Sequence, residues 1–197
     1  NHTATSEIRT EVTVLDSKEL KDICYFIPCP KSPHGCDVDP TGEFIVGSGK
    51  LAALIPVFSF DKIQKAIAAK AYDGDYDGIP VIKYEAALYG EVKKPGLGPL
   101  HTEFDAKGNA YTSFFVSSEV VKWNVKELKV VDRVPTFYSV GHLCVVGGDS
   151  KNPTGKYLIA YNKITKDRYL PTGPELSQSA QLFDISGDKM ELILDFP

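Results

Sequence analysis

The sequence predicts an all-β protein, and three features carry that prediction. Short runs rich in Val, Ile, Phe and Tyr recur along most of the 197 residues. Gly, Pro, Asp or Asn bounds each run, supplying the fixed or positive φ that turns require. Three of the four histidines also open such runs in similar small or rigid settings: Ser32-Pro33-His34-Gly35, Gly98-Pro99-Leu100-His101-Thr102 and Val140-Gly141-His142-Leu143.

Taken in order, strands are expected at residues 11–15, 24–27, 44–47, 55–60, 110–116, 120–124, 128–134, 143–146, 156–162, 181–185 and 191–194. The last two are joined by the hairpin-type connection Ile185-Ser186-Gly187-Asp188-Lys189. One helix is expected over 61–70, where Asp61 suits an N-cap and Ile63 and Ile67 repeat at i, i+4. Many short strands at near-regular spacing indicate a sandwich, barrel or propeller.

The histidine units narrow the choice to a propeller. His34 leads to the turn Asp39-Pro40-Thr41-Gly42, His101 to Asp105-Ala106-Lys107-Gly108, and His142 to Asn152-Pro153-Thr154-Gly155. His101 and His142 are 41 residues apart, which fits one four-stranded blade of ~40–50 residues. His34 and His101 are 67 apart, which fits a blade plus an insertion at about 69–95. Residues 1–197 thus read as one partial propeller of about three to four blades with one inserted helix. That is fewer than most closed propellers need, so a larger protein is expected.

Composition excludes several classes of function. A 43% hydrophobic content suffices for a core, and a net charge of −4 argues against nucleic acid or an anionic membrane as partner. No apolar run approaches the ~20 residues of a membrane span, and no signal peptide is recognisable. The chain opens on Asn1-His2-Thr3 without a start methionine, as a mature or truncated chain would. Cys24, Cys29, Cys36 and Cys144 are too few and irregular for a disulfide framework, and no Cys-x-x-Cys is present. They read as ordinary buried residues, with one disulfide open in an oxidising compartment.

Histidines that start repeated units aim their imidazoles at one shared place, which is the logic of a metal site on a repeat scaffold. Imidazole nitrogen suits copper, and a Pro or Gly beside each ligand limits the entropy lost on binding. Any one of the three alone reads as a capping or satisfied core histidine; the set reads as metal ligands. In the insertion, Asp73-Gly74-Asp75-Tyr76-Asp77-Gly78 matches half of an EF-hand loop. The twelfth position is Tyr84, however, and Pro80 is awkward, so a solvated acidic turn competes with a weak calcium loop.

Several of these segments together resemble nitrous-oxide reductases. They are Ser32-Pro33-His34-Gly35, Gly96-Leu97-Gly98-Pro99-Leu100-His101-Thr102, Gly108-Asn109-Ala110-Tyr111-Thr112, Val121-Lys122-Trp123-Asn124 and Gly141-His142. Lys166-Asp167-Arg168-Tyr169-Leu170-Pro171 and Gln181-Leu182-Phe183-Asp184-Ile185-Ser186-Gly187 complete the set. The similarity runs from about Ile23 to Pro197, and Lys31-Ser32-Pro33-His34 with the 173–181 stretch looks more like the atypical branch of the family.

The resemblance implies part of a seven-bladed N-terminal propeller bearing a four-copper sulfide cluster held by seven histidines. His34, His101 and His142 match three of those ligands by motif; His2 matches none. It also implies a C-terminal cupredoxin domain with a binuclear copper site, which this chain lacks. The implied reaction is two-electron reduction of nitrous oxide to dinitrogen and water, the last step of denitrification. A periplasmic homodimer fed by cytochrome c or a similar donor is expected.

Lys163 matches a lysine near the cluster, where an ammonium could stabilise a developing oxide; the competing reading is a solvated turn lysine after Asn162. Calcium is the family's second ion. The Lys163 carbonyl and Gln178 match one calcium site, and Ser32 stands at another. Gln178 replaces a Glu there, which removes a charge and weakens calcium. Two alternatives remain: a non-enzymatic binding or surface propeller, which predicts no convergence of the histidines, and a propeller oxidoreductase using a different metal.

Overall fold

Three four-stranded antiparallel sheets follow one another along the chain in the computed structural model, which describes residues 16–17, 19–20, 23–165 and 177–197. The first is ordered β1 (Pro33–Val38), β2 (Phe44–Gly49), β3 (Leu54–Ser59) and β6 (Leu88–Lys93). The second is β7 (Pro99–Phe104), β8 (Asn109–Phe114), β9 (Glu119–Asn124) and β10 (Lys129–Pro135). The third is β11 (Val140–Val145), β12 (Tyr157–Asn162), β13 (Ser179–Asp184) and β14 (Glu191–Phe196). Each sheet is an up-and-down meander, a propeller blade, and the chain is all-β and part of a propeller as expected.

Between β3 and β6 lie helix α1 (Phe60–Ala68), the hairpin β4 (Tyr72–Tyr76) with β5 (Ile79–Ile82), and the short helix α2 (Tyr84–Ala87). The segment that departs from the meander is therefore 60–87 rather than 69–95, because β6 pairs with β3 as the fourth strand of its blade. It holds two helices rather than one. Helix α1 begins at Phe60, capped by Ser59, whose Oγ accepts the Lys62 N–H at 3.1 Å. Asp61 is not the cap but lies in the first turn, 2.6 Å from Lys65.

The acidic run 73–78 is a hairpin. Asp77 and Gly78 have φ of +54° and +80°, the paired positive values of a type I′ turn, and Gly78 N–H donates to Asp75 Oδ1 at 3.0 Å. The solvated acidic turn that the sequence offers for these residues is present, as the tip of a two-stranded hairpin that was not anticipated.

The expected strands at 44–47, 55–60 and from 110 onward are present within a residue or three of their bounds. Residues 24–27 form only a single bridge, Phe26 with Val81. The expected strand at 11–15, His2 and the Lys166–Pro171 motif lie outside the described residues. The inner strands β1 and β7 were not anticipated, because Pro33, Gly35, Gly98 and Pro99 disguise their period. The histidines consequently lie inside strands instead of ahead of them.

Alternation along the strands builds the cores between blades. Val46, Val57 and Val92 of the first blade meet Phe104, Val121 and Trp123 of the second. Trp123 is wholly buried, and its indole N–H donates to Thr112 Oγ1 at 2.9 Å, so the ring brings no orphaned donor inside. Tyr111 and Val120 of the second blade pack on Leu143, Leu158 and Phe183 of the third. Ile45 and Phe58, neighbours in sequence of Val46 and Val57, point the other way and are covered by Ile63, Ala66 and Ile82 of the 60–87 segment. Burying each of these large side chains is worth roughly 1.5–3 kcal/mol.

Candidate metal centre

Every histidine of interest sits at a bulge in the innermost strand of its blade. Between Pro33 and Cys36 three steps of β1 oppose two of β2, from Gly49 to Gly47. The same single extra residue occurs between Pro99 and Thr102 against Phe114 to Thr112, and between Val140 and Leu143 against Asn162 to Ala160. A bulge leaves one residue out of the ladder and re-aims its side chain. Here it does so at His34, His101 and His142 alike.

Gly35 makes the first of these close approaches possible. A Cβ there would lie 1.8 Å from the Leu100 carbonyl oxygen, so any larger residue would push the first blade off the second.

The three imidazoles come together. His34 and His101 meet edge to face with ring centroids 5.0 Å apart, and His101 stacks on His142 at 4.3 Å. His101 is the middle ring and half-buried; the outer two are exposed. Among the described residues no three His, Cys, Asp or Glu side chains converge at coordination distance on one ion. The arrangement is a row of rings from three blades, not a closed single-ion cage.

Electrostatics favours neutral imidazoles. Burial, followed by the charges of His142, His34 and Lys163, lowers the His101 pKa to about 4. Burial and then Lys163, Lys50 and His142 lower that of His34. A neutral ring keeps a nitrogen lone pair for a metal, and nitrogen donors of this type suit copper. On donor chemistry and proximity the residues present fit a copper site.

Lys163 reaches this site across the backbone of the third blade. A Cβ on Gly141 would lie 2.6 Å from Lys163 Cε, so the lysine stem runs over the glycine that precedes His142. Its ammonium lies 5.5 Å from the centre of the Phe115 ring. Extending the β12–β13 register by one residue beyond Asn162 and Ser179 sets Lys163 opposite Gln178, which is exposed. Ser32 has φ +61° and its carbonyl accepts the Lys50 N–H at 2.8 Å.

Two groups near the site were not anticipated. Asp37 faces the second blade and its Oδ2 accepts the Thr102 N–H at 2.8 Å, beside His101. Glu103 faces the third blade and accepts the Val145 N–H, while its Oε2 is buried without a partner. Burial raises their pKa values to about 6 and about 7. An acidic residue three places after His34 and two after His101 was the available signal. The cysteines correct another expectation: all four are free, Cys36 and Cys144 are exposed, and Cys24 and Cys29 only half-buried.

Known proteins share sequence and fold with this chain. The nitrous oxide reductase propeller repeat matches residues 133–197, the third blade with its approach. Nitrous-oxide reductase of Stutzerimonas stutzeri is 38% identical over 192 residues, covering 92% of this chain and 28% of the relative. That of Pseudomonas fluorescens is 34% identical over 202 residues, covering 95% and 30%. The chain thus spans less than a third of the curated relatives it matches. Among solved structures, a chain of the mitotic checkpoint complex superposes with a TM-score of 0.55 at 10% identity, over 84% of this chain and 39% of the other. Kuenenia stuttgartiensis hydrazine synthase gives 0.53 at 15%, over 82% and 37%. These last two likenesses speak to the fold alone. The sequence similarity covers more than nine-tenths of this chain, and residues 133–197 match that family's propeller repeat, so the chain is similar to a propeller segment of the nitrous-oxide reductases.

Proposed function

We propose that this chain supplies part of the catalytic copper centre of a nitrous-oxide reductase, with His34, His101 and His142 as copper ligands. The observation that carries the reading is the row of three imidazoles, delivered by equivalent bulges of three blades. A surface or binding propeller has no reason to bring these rings together. The reaction is N₂O + 2 H⁺ + 2 e⁻ → N₂ + H₂O. Bound copper would supply the two electrons to a substrate that is a poor ligand and kinetically inert.

The protein's own residues do the rest. The bulges fix where the ring nitrogens stand, and burial keeps His101 neutral and ready to donate. Lys163, guided over Gly141, places a fixed positive charge beside the rings, where it stabilises negative charge developing on the substrate oxygen. The Lys163 carbonyl and Gln178, facing each other across the extended β12–β13 ladder, are the residues that would hold calcium there. The remaining copper ligands, a cupredoxin domain with a binuclear copper, a periplasmic setting, a homodimer and a cytochrome c-like donor belong to the same proposal, by analogy with the far longer relatives.

The test is made in the full-length protein, reading copper content beside N₂O consumption. His101→Ala removes the middle ring, and loss of both copper and activity is expected. Lys163→Ala is expected to keep most copper and to turn over ~10²–10³ more slowly, the usual cost of one positioned donor. Full copper in His101→Ala would refute the ligand assignment, and parental turnover in Lys163→Ala would make that lysine an ordinary turn residue.

A further inference from the structure

The three blades share a second equivalent position beside the histidines. Lys50, Phe115 and Lys163 are each the first residue after the second strand of a blade, following Gly49, Phe114 and Asn162. Those three partners pair with Pro33, Pro99 and Val140, the last ladder positions before the histidine bulges. The equivalence extends to the backbone. Lys50 N–H donates to Ser32 O at 2.8 Å, Phe115 N–H to Gly98 O at 2.8 Å, and Lys163 N–H to Ser139 O at 3.3 Å. Each acceptor lies two or three residues before a histidine.

The side chains at these positions meet. The Lys50 ammonium lies 5.1 Å from the centre of the Phe115 ring, and the Lys163 ammonium lies 5.5 Å from the same centre. Both are inside the ~6 Å over which a ring quadrupole attracts a cation. Two like charges drawn to one ring from opposite neighbouring blades repel each other, so something must favour their staying together. The half-buried ring supplies part of that attraction. Its contact with two lysines, one residue past the strand positions that pair ahead of the histidine bulges, leaves the site with two fixed positive charges instead of one.

We propose that Lys50 is a second charged group of the copper site, held with Lys163 by Phe115 as a shared positioning residue, and that both charges favour electron-rich states of the centre. This rests on the copper reading above. A cation at this position makes the copper easier to reduce and stabilises negative charge on the substrate oxygen, as Lys163 does. Phe115 carries no charge of its own in this scheme. It sets where the two ammonium groups stand.

The experiment uses the full-length, copper-loaded protein with Lys50→Met, Lys50→Arg and Phe115→Leu. Methionine keeps the length of the stem and removes the charge; arginine keeps charge and ring contact. The first readout is the copper reduction potential by spectroelectrochemical titration, which needs no N₂O. Lys50→Met is expected to shift it to a more negative value at parental copper content, Lys50→Arg to restore it, and Phe115→Leu to fall between. The second readout is steady-state kinetics. Lys50→Met is expected to lower kcat roughly tenfold, less than a donor aimed straight at the oxygen, with KM for neutral N₂O unchanged. An unmoved potential in Lys50→Met, or an arginine variant no better than methionine, would overturn the proposal. Parental protein that holds copper but does not consume N₂O would refute the catalytic reading, while the potentials would still decide the role of Lys50.

Discussion

The two ends of the blades treat polar groups in opposite ways. At the turn end, each carboxylate is satisfied by its own loop. Asp39 accepts the Phe44 N–H at 2.8 Å and both the N–H and hydroxyl of Thr41. Asp105 accepts from Lys107 N–H, Asn109 N–H, the Asn109 amide and the Tyr111 hydroxyl, all within 2.9 Å. At the histidine end, the groups that face one another come from three different blades, and rings and ammonium groups meet rings. A polar group closed off by its own turn stabilises that turn and can do little else. A polar group that meets only side chains of other blades still has capacity to spend on a ligand.

The sharpest way to break this contrast is Asp105→Ala. It strands up to four donors, of which the Tyr111 hydroxyl is buried, and should cost about 2–4 kcal/mol in denaturant unfolding of the full-length protein. Copper per folded molecule should not change. If copper falls with stability, the two ends are coupled and the contrast fails.

Glu103→Gln sharpens it from the other side, because Glu103 keeps one buried oxygen, Oε2, without a partner. Its folded pKa of about 7 lies above the ordinary 4.5 of an unfolded glutamate, so the native state holds more protons between those values. Stability is therefore lost as pH rises from about 4.5 to 7. Glutamine removes that loss, and a gain of about 1–3 kcal/mol is expected at pH 8, shrinking toward zero below pH 4.5. A thermal melt series across this range checks the sign; a gain that grows as pH falls would contradict it.

The smallest effect on stability is expected from Gly141→Ala. Its new methyl meets the Lys163 stem, which is exposed and can swing aside, so the fold should lose under ~1 kcal/mol. Turnover should nonetheless drop several-fold as the ammonium leaves its place, with copper retained. Equal turnover in the alanine variant would show that the path of Lys163 over Gly141 is incidental.

What could be read from the sequence followed the same division. Turns announced themselves, because Asp-Pro-Thr-Gly and Asp-Ala-Lys-Gly carry their chemistry in four consecutive residues. The histidines were visible as a repeat, and their meeting followed from it. Lys50 and Phe115 were not visible, since their partner positions are set by strand pairing across three blades and no local pattern marks them. The same holds for β6, which joins its blade only after the 60–87 excursion. Asp61 misled for a converse reason: it has the right chemistry for a cap, but Ser59 lies where the backbone is still extended.

The shared bulge has a consequence for how such a centre is inherited. In a strand, side chains change face with every residue, so inserting or deleting one residue reverses everything downstream. The centre therefore depends on one surplus codon per blade as much as on the histidine itself. Deleting it would leave the histidine in the gene and turn Thr102 and Glu103 to the wrong neighbours. Duplicating a blade, by contrast, copies the surplus codon and the histidine in one event. A many-ligand site can thus arise by copying a finished part, each copy already carrying its own aim.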